Sequence, residues 1–144
     1  MNNYFLTKVK YEKIGEEGSI RKTSELNIVE ALSFTECEAR IIEEMKPFIS
    51  GEFSVESIKR EKISEIFWNE NGDKWFKAKV FFISLDEEKG IERQQGSLMY
   101  VQASNINDAE NQLQLGMKGT MADYRIGKIE ETKVQEIFKY ESKN

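Results

Sequence analysis

The chain has no histidine, one cysteine and one proline among its 144 residues. Without histidine it lacks the commonest general base near neutral pH and the commonest transition-metal ligand. A lone thiol, Cys37, forbids an internal disulfide and suits a reducing compartment. No apolar run approaches the roughly 20 residues needed to cross a bilayer. The opening MNNYFLTKVKYEKIG carries charges every few residues, where a secretory signal would be apolar. These absences give the expectation of a soluble, cytoplasmic protein with no membrane association. Charge is plentiful: 26 acidic against 21 basic residues give a formal net charge of −5, so long-range attraction to nucleic acid is not favoured, although a local basic face is compatible with it. A hydrophobic content of 39% is enough for one core, or for two small units that share one.

What is present is mostly periodic. Residues 4–14 alternate, with Phe5, Thr7, Val9 and Tyr11 on one side and Tyr4, Leu6, Lys8 and Lys10 on the other, which predicts a strand with one buried face. Gly15–Gly18 reads as a turn and 20–31 as the returning strand. Ser33-Phe34-Thr35-Glu36 has the capping-box pattern of a helix start. Phe34, Cys37, Ile41, Ile42, Met45, Phe48 and Ile49 then follow helical spacing. Pro47 kinks or ends that helix, and Gly51 stops it. Residues 52–68 read as one long strand whose apolar phase changes between Val55 and Ile58, the mark of a bulge.

Much of this pattern recurs. Ser33–Phe67 has a weaker counterpart in Asn105–Phe138, and Trp75-Phe76-x-x-Lys79-Val80 answers Tyr4-Phe5-x-x-Lys8-Val9. Asn105 with Asp108 caps the second helix, Met117 falls where Met45 does, and Glu-Ile-Phe closes each copy at 65–67 and 136–138. The expected fold is α+β: a duplicated strand–strand–helix–strand unit, about six mostly antiparallel strands with two helices, related by a pseudo-twofold axis. Residues 1–144 then form a single domain of two repeats, 4–67 and 75–138, joined by an Asn-Gly hairpin at 69–74. That hairpin pairs the last strand of the first repeat with the first strand of the second, and symmetry lets the halves exchange strands. The tail Lys139–Asn144 reads as loose.

One family shows the same pattern. The runs Ala31–Glu36, Ala39–Met45, Ile49–Phe53, Ile58–Arg60 and Ser64–Phe67, with Trp75-x-Lys77-Ala78-Lys79 and Met117–Met121, resemble domain-of-unknown-function family 4494 over nearly the whole chain. That family comprises uncharacterised small proteins of gut anaerobic bacteria, their phages and their mobile elements. The resemblance implies such a setting, and it carries over no catalytic residue.

The candidate site is a sheet face mixing aromatics with lysines: Tyr4, Lys8 and Lys10 on the first strand, Trp75, Lys77, Lys79 and Phe81 on its counterpart, and Lys59 with Arg60 on the third. Flat rings stack on unpaired bases while lysines meet phosphates, which grips single-stranded nucleic acid without reading its sequence. The plainer alternative makes the rings core and the lysines solubilising groups on half-buried strands. A second class of function is a protein-interaction module, an adaptor or inhibitor of a host or phage partner. It would act through the acidic helix face of Glu36, Glu38, Glu43 and Glu44 or through a free strand edge, and an oligomer is compatible with it. Enzymatic chemistry finds little. Cys37 lies on an apolar stripe with no histidine to activate it, Asp86-Glu87-Glu88 lacks the spacing of a metal site, and Lys118-Gly119-Thr120 lacks the glycine frame of a phosphate loop. No catalytic residue, metal or cofactor is therefore expected.

Overall fold

The computed structural model describes residues 3–140. In chain order the elements are β1 (Asn3–Ile14), β2 (Ile20–Ala31), α1 (Phe34–Met45), β3 (Phe53–Glu61), β4 (Ile63–Phe67), β5 (Lys74–Asp86), β6 (Ile91–Ala103), α2 (Ile106–Gly116), β7 (Asp123–Glu131) and β8 (Val134–Phe138). The fold is α+β, with two helices and eight strands in two four-stranded sheets. The expected six strands become eight because each long third strand breaks in two. β3 loses its partner where β1 runs out, at the Tyr4–Glu61 pair, and β4 begins two residues later in the other sheet.

Two compact units divide the chain: Met1–Lys62 with Lys133–Asn144, and Ile63–Thr132. In unit 1 the strand order is β3-β1-β2-β8. β1 and β2 form the expected hairpin, and Gly18 closes its turn at a φ of 77° that a glycine adopts without strain. α1 begins where its cap predicts: Ser33 Oγ accepts the Glu36 amide at 3.1 Å, and the Glu36 carboxylate accepts the Leu32 amide at 3.0 Å. Pro47 lies beyond the helix and kinks nothing. Cys37, Ile41, Met45 and Ile49 pack on Phe5, Val9 and Val29. Phe34 and Phe48, expected on the same stripe, are exposed. Phe34 covers Phe5 edge-on from outside, with ring centroids 4.8 Å apart. The phase change in β3 is a bulge: Lys8 faces Ser57 and Val9 faces Val55, which leaves Glu56 as the extra residue.

Unit 2 has the order β4-β6-β5-β7, with a core of Ala78, Val80, Met99, Val101, Leu113 and Met117. Its bulge falls at Gly127, between the Lys79–Lys128 and Val80–Ile126 pairs. The Asn-Gly segment does not make the expected hairpin. β4 pairs in parallel with β6 and is not a neighbour of β5, so residues 68–73 carry the chain past a strand. The turn itself is real, with the Gly72 amide donating to the Asn69 carbonyl at 2.9 Å. Glycine is needed at 72 for close approach and not for a left-handed φ, since a Cβ there would stand 2.5 Å from Ala103 Cα. β8 likewise pairs in parallel with β2 and not with β1. Nor are Lys139 and Tyr140 loose: Arg40 donates to the Lys139 carbonyl at 3.0 Å, and the Tyr140 amide donates to Glu30 at 2.8 Å. The remainder of that expected tail, 141–144, lies outside the described residues.

The caps carry a measurable share of helix stability. At α2 the Asn105 Oδ1 accepts the Asp108 amide at 2.8 Å, and Asp108 accepts from the Ser104 amide at 2.9 Å and from its hydroxyl at 3.1 Å. Asn105→Ala is expected to cost about 1 kcal/mol. The Asp108 carboxyl is held below its ordinary range, first by the Ser104 backbone N–H and then by the Ser104 hydroxyl and Gln112. A pKa lowered in the folded state contributes stability above the unfolded value and loses it as pH falls through the folded one. Asp108→Asn should therefore lower the thermal midpoint at neutral pH. The gap to wild type should begin to narrow at about pH 4, near the unfolded value, and close only once the pH has fallen through the lower folded-state pKa. Thermal melts of both proteins across that range check the point.

Candidate nucleic-acid interface

Strand alternation sends Phe5, Thr7 and Val9 toward α1 and leaves Tyr4, Lys8 and Lys10 on the opposite face of unit 1. Tyr4 is half-buried there. The two lysines share one carboxylate, that of the bulge residue Glu56, with Lys10 Nζ at 2.9 Å and Lys8 Nζ at 3.6 Å. Glu56 is accordingly held below the ordinary glutamate range, chiefly by the hydrogen bond from Lys10. Lys59, opposite Leu6, joins this face. Arg60, its neighbour in sequence, does not. It stands opposite Phe5 on the other face, with its guanidinium carbon 5.9 Å from the Phe5 ring centroid. Grouping Lys59 with Arg60 is therefore corrected by the two-residue period of the strand.

In unit 2 Phe76, Ala78 and Val80 turn toward α2, and Trp75, Lys77, Lys79 and Phe81 lie on the opposite face. Trp75 cannot offer a stacking surface. It is 2% exposed, and Trp68 meets its ring edge-on with centroids 5.1 Å apart. An aromatic ring beside lysines on a sheet has the pattern of a stacking platform, and here it is core. Lys77 pairs with Glu130 at 3.3 Å, and Lys128 reaches the same carboxylate at 3.1 Å. Glu130 is held low, first by the Lys128 hydrogen bond and then by Lys77. Lys79 is exposed and stands directly across from Lys128.

Around Phe81 the arrangement is more specific. Its register partners are Gly96 on β6 and Arg125 on β7. The ring lies against Gly127, where a Cβ would come within 2.4 Å of it, while a Cβ on Gly96 would meet the Lys79 side chain at 2.5 Å. The Arg125 guanidinium carbon sits 4.3 Å from the Phe81 centroid. Nε and Nη2 of Arg125 both donate to Gln94 Oε1, at 3.0 and 2.8 Å.

A family model described as Domain of unknown function (DUF4494) matches residues 3–140. The chain belongs to that family. Comparison with curated proteins found no match. The DUF4494 match covers all the elements of both units, so the Phe81 cluster lies within the family's domain. Arg125, Lys128, Gln94, Gly96 and Gly127 were missed by reasoning on sequence alone. The available signal was Gly127 inside the alternating run Arg125–Ile129, since glycine within a strand marks a bulge or a close backbone approach.

The sites considered for other chemistry are occupied structurally. Cys37 is fully buried, and burial pushes its thiol up to about 11, so it stays protonated at neutral pH. Asp86 accepts from the Lys89 amide and pairs with Arg93 at 3.2 Å.

Proposed function

We propose that the chain is a non-enzymatic binding protein, of phage or mobile-element type and cytoplasmic, that holds single-stranded nucleic acid on the β5/β7 face of unit 2. The observation that carries this is one cationic strip. Lys77, Lys79, Lys128 and Arg125 share a face with Phe81 and have the carboxylate of Glu130 among them. Unit 1 differs at the corresponding bulge, where Glu56 engages Lys8 and Lys10. The acidic character of the chain as a whole restricts attraction to this local patch.

Fluorescence anisotropy of a labelled oligothymidylate tests the reading. Four phosphate contacts on a single strand give a slope of about −3 for log affinity against log salt. Lys79→Glu with Lys128→Glu is expected to weaken binding by more than about tenfold and to flatten that slope. Absence of binding by the wild type at low salt would refute the proposal.

One observation favours a second reading, a protein-interaction module. Ile14 and Ile20 face each other at the tip of the β1–β2 hairpin, 75% and 66% exposed, beside a cleft of about 660 Å³ that Tyr11 and Phe53 also line. A concentration-dependent oligomer in light scattering, abolished by Ile14→Lys, would favour it over strand binding.

We also infer that the two halves are copies of one unit. Supporting this are the matching strand orders, the bulge shared by β3 and β7, and the Asx- or Ser-capped helix in each half.

A further inference from the structure

Given the reading of unit 2 as a single-strand surface, we infer that its stacking group is the guanidinium of Arg125, held over Phe81, and that its ligand is an unpaired nucleobase with its adjoining phosphates. An exposed arginine ordinarily samples many rotamers. Here its plane is defined twice, by the Phe81 ring beneath it at 4.3 Å and by the two-point bond to Gln94 Oε1 along its edge. Gln94 is itself oriented, since its Nε2 donates to Glu92 at 3.1 Å. Phe81 can occupy its place because Gly127 carries no Cβ. The result is a layered stack of backbone, phenyl ring and guanidinium whose outermost layer is a planar cation.

Neither contact partner of that cation is an anion: one is an aromatic face and the other a neutral amide. The Arg125 charge therefore has no carboxylate in contact with it, unlike those of Lys8 and Lys10, which share Glu56. A planar, ordered guanidinium stacks on nucleobases, and every base has a π-face, so the contact tolerates any sequence. Lys79 and Lys128, opposite each other on the same face and both to one side of the Phe81–Arg125 pair, stand where the phosphates next to that base would run. In a duplex the base faces are covered by their neighbours, which is why the site selects an unpaired strand. Unit 1 cannot repeat the arrangement. One step past its bulge Lys10 faces Ser54, where unit 2 has Phe81 facing Arg125, and its bulge residue is Glu56 in place of glycine.

The test compares three labelled ligands of equal length, about 12 nucleotides: an oligothymidylate, the same backbone with abasic sites, and a duplex. Each is titrated by anisotropy into wild type, Arg125→Lys and Gln94→Leu, with thermal melts confirming that the variants fold. Wild type is expected to prefer the thymidylate over the abasic strand and the duplex by about tenfold or more. Arg125→Lys keeps the charge and loses the plane, so it should erase that preference, bringing thymidylate binding down to the level of the abasic strand. Gln94→Leu, which frees the guanidinium edge, should reduce the preference in the same direction. Salt-sensitive but equal binding of thymidylate and abasic strands by wild type would leave the functional proposal standing and overturn the stacking role. So would an Arg125→Lys protein that still discriminates between them. No binding of any ligand by wild type would refute the functional proposal itself and this inference with it.

Discussion

Trp75→Ala is expected to lower the stability of the protein by about 3–5 kcal/mol, the usual result of truncating a large buried aromatic. Trp75 is 2% exposed and Trp68 crosses its ring at 90°. Its backbone is anchored as well, for the Trp75 carbonyl accepts the Thr132 amide at 2.9 Å and the Thr132 hydroxyl at 2.8 Å. Truncation removes the ring from a packed site while those bonds hold the strand in place, so the cavity cannot simply collapse. Domains of this size have about 5–15 kcal/mol in total, so most of the margin would be lost. Chemical denaturation measures this directly. A stacking residue would behave oppositely, with stability unchanged and oligonucleotide binding gone. That outcome would return Trp75 to the interface and remove the case for Arg125.

The contrast between Trp75 and Arg125 shows which parts of this chain can be read from its sequence. Local signals carried well. The β2 bounds, both helix caps and the phase change in β3 follow from alternation and capping patterns that act within a few residues. Pairing across distance did not. Asn71-Gly72 has the composition of a hairpin, yet the packing of Gly72 on Ala103 is what fixes the residue there, and β4 passes to the far side of β6. The faces of the candidate residues were legible for the same reason that their contacts were not. Alternation placed Lys8, Lys10, Lys77, Lys79 and Phe81 on faces away from the helices. It could not say that Glu56 would reach two of those lysines, or that Arg125 would lie on Phe81, because both contacts depend on inter-strand register and on a bulge. One bulge position thus distinguishes the two faces: in unit 1 its glutamate pairs with two lysines, and in unit 2 its glycine leaves room for the Phe81 ring.

Ending the chain after Thr132 should cost unit 1 its native structure, a large effect for a terminal truncation, since chain ends are ordinarily tolerant. The deleted segment supplies β8, the edge strand beside β2. Phe138 packs against the core formed by Phe5, Val29 and Ile41, and Val134 and Ile137 are buried. Burial of Val134 and Ile137 contributes about 1.5–3 kcal/mol each and the partly buried Phe138 somewhat less, a sum comparable to the whole stability of a small domain. Polar groups would be stranded too. Asn27, 1% exposed, accepts the Glu136 amide at 3.1 Å, and Arg40 bridges the Glu30 and Lys139 carbonyls. Unit 2 keeps all four of its strands in the truncated chain, because β4 comes from the N-terminal side. Hydrogen exchange followed by mass spectrometry should therefore show β1, β2 and β3 losing protection while β5, β6 and β7 retain it. Retained protection in β2 would mean that β8 is a dispensable edge, and the parallel β2–β8 pairing would then contribute little to the fold. A graded check is Phe138→Ala, expected to cost about 2–3 kcal/mol, less than truncation of a fully buried ring because Phe138 is only partly buried. A value near zero for that variant would make the same point against β8 without deleting any backbone.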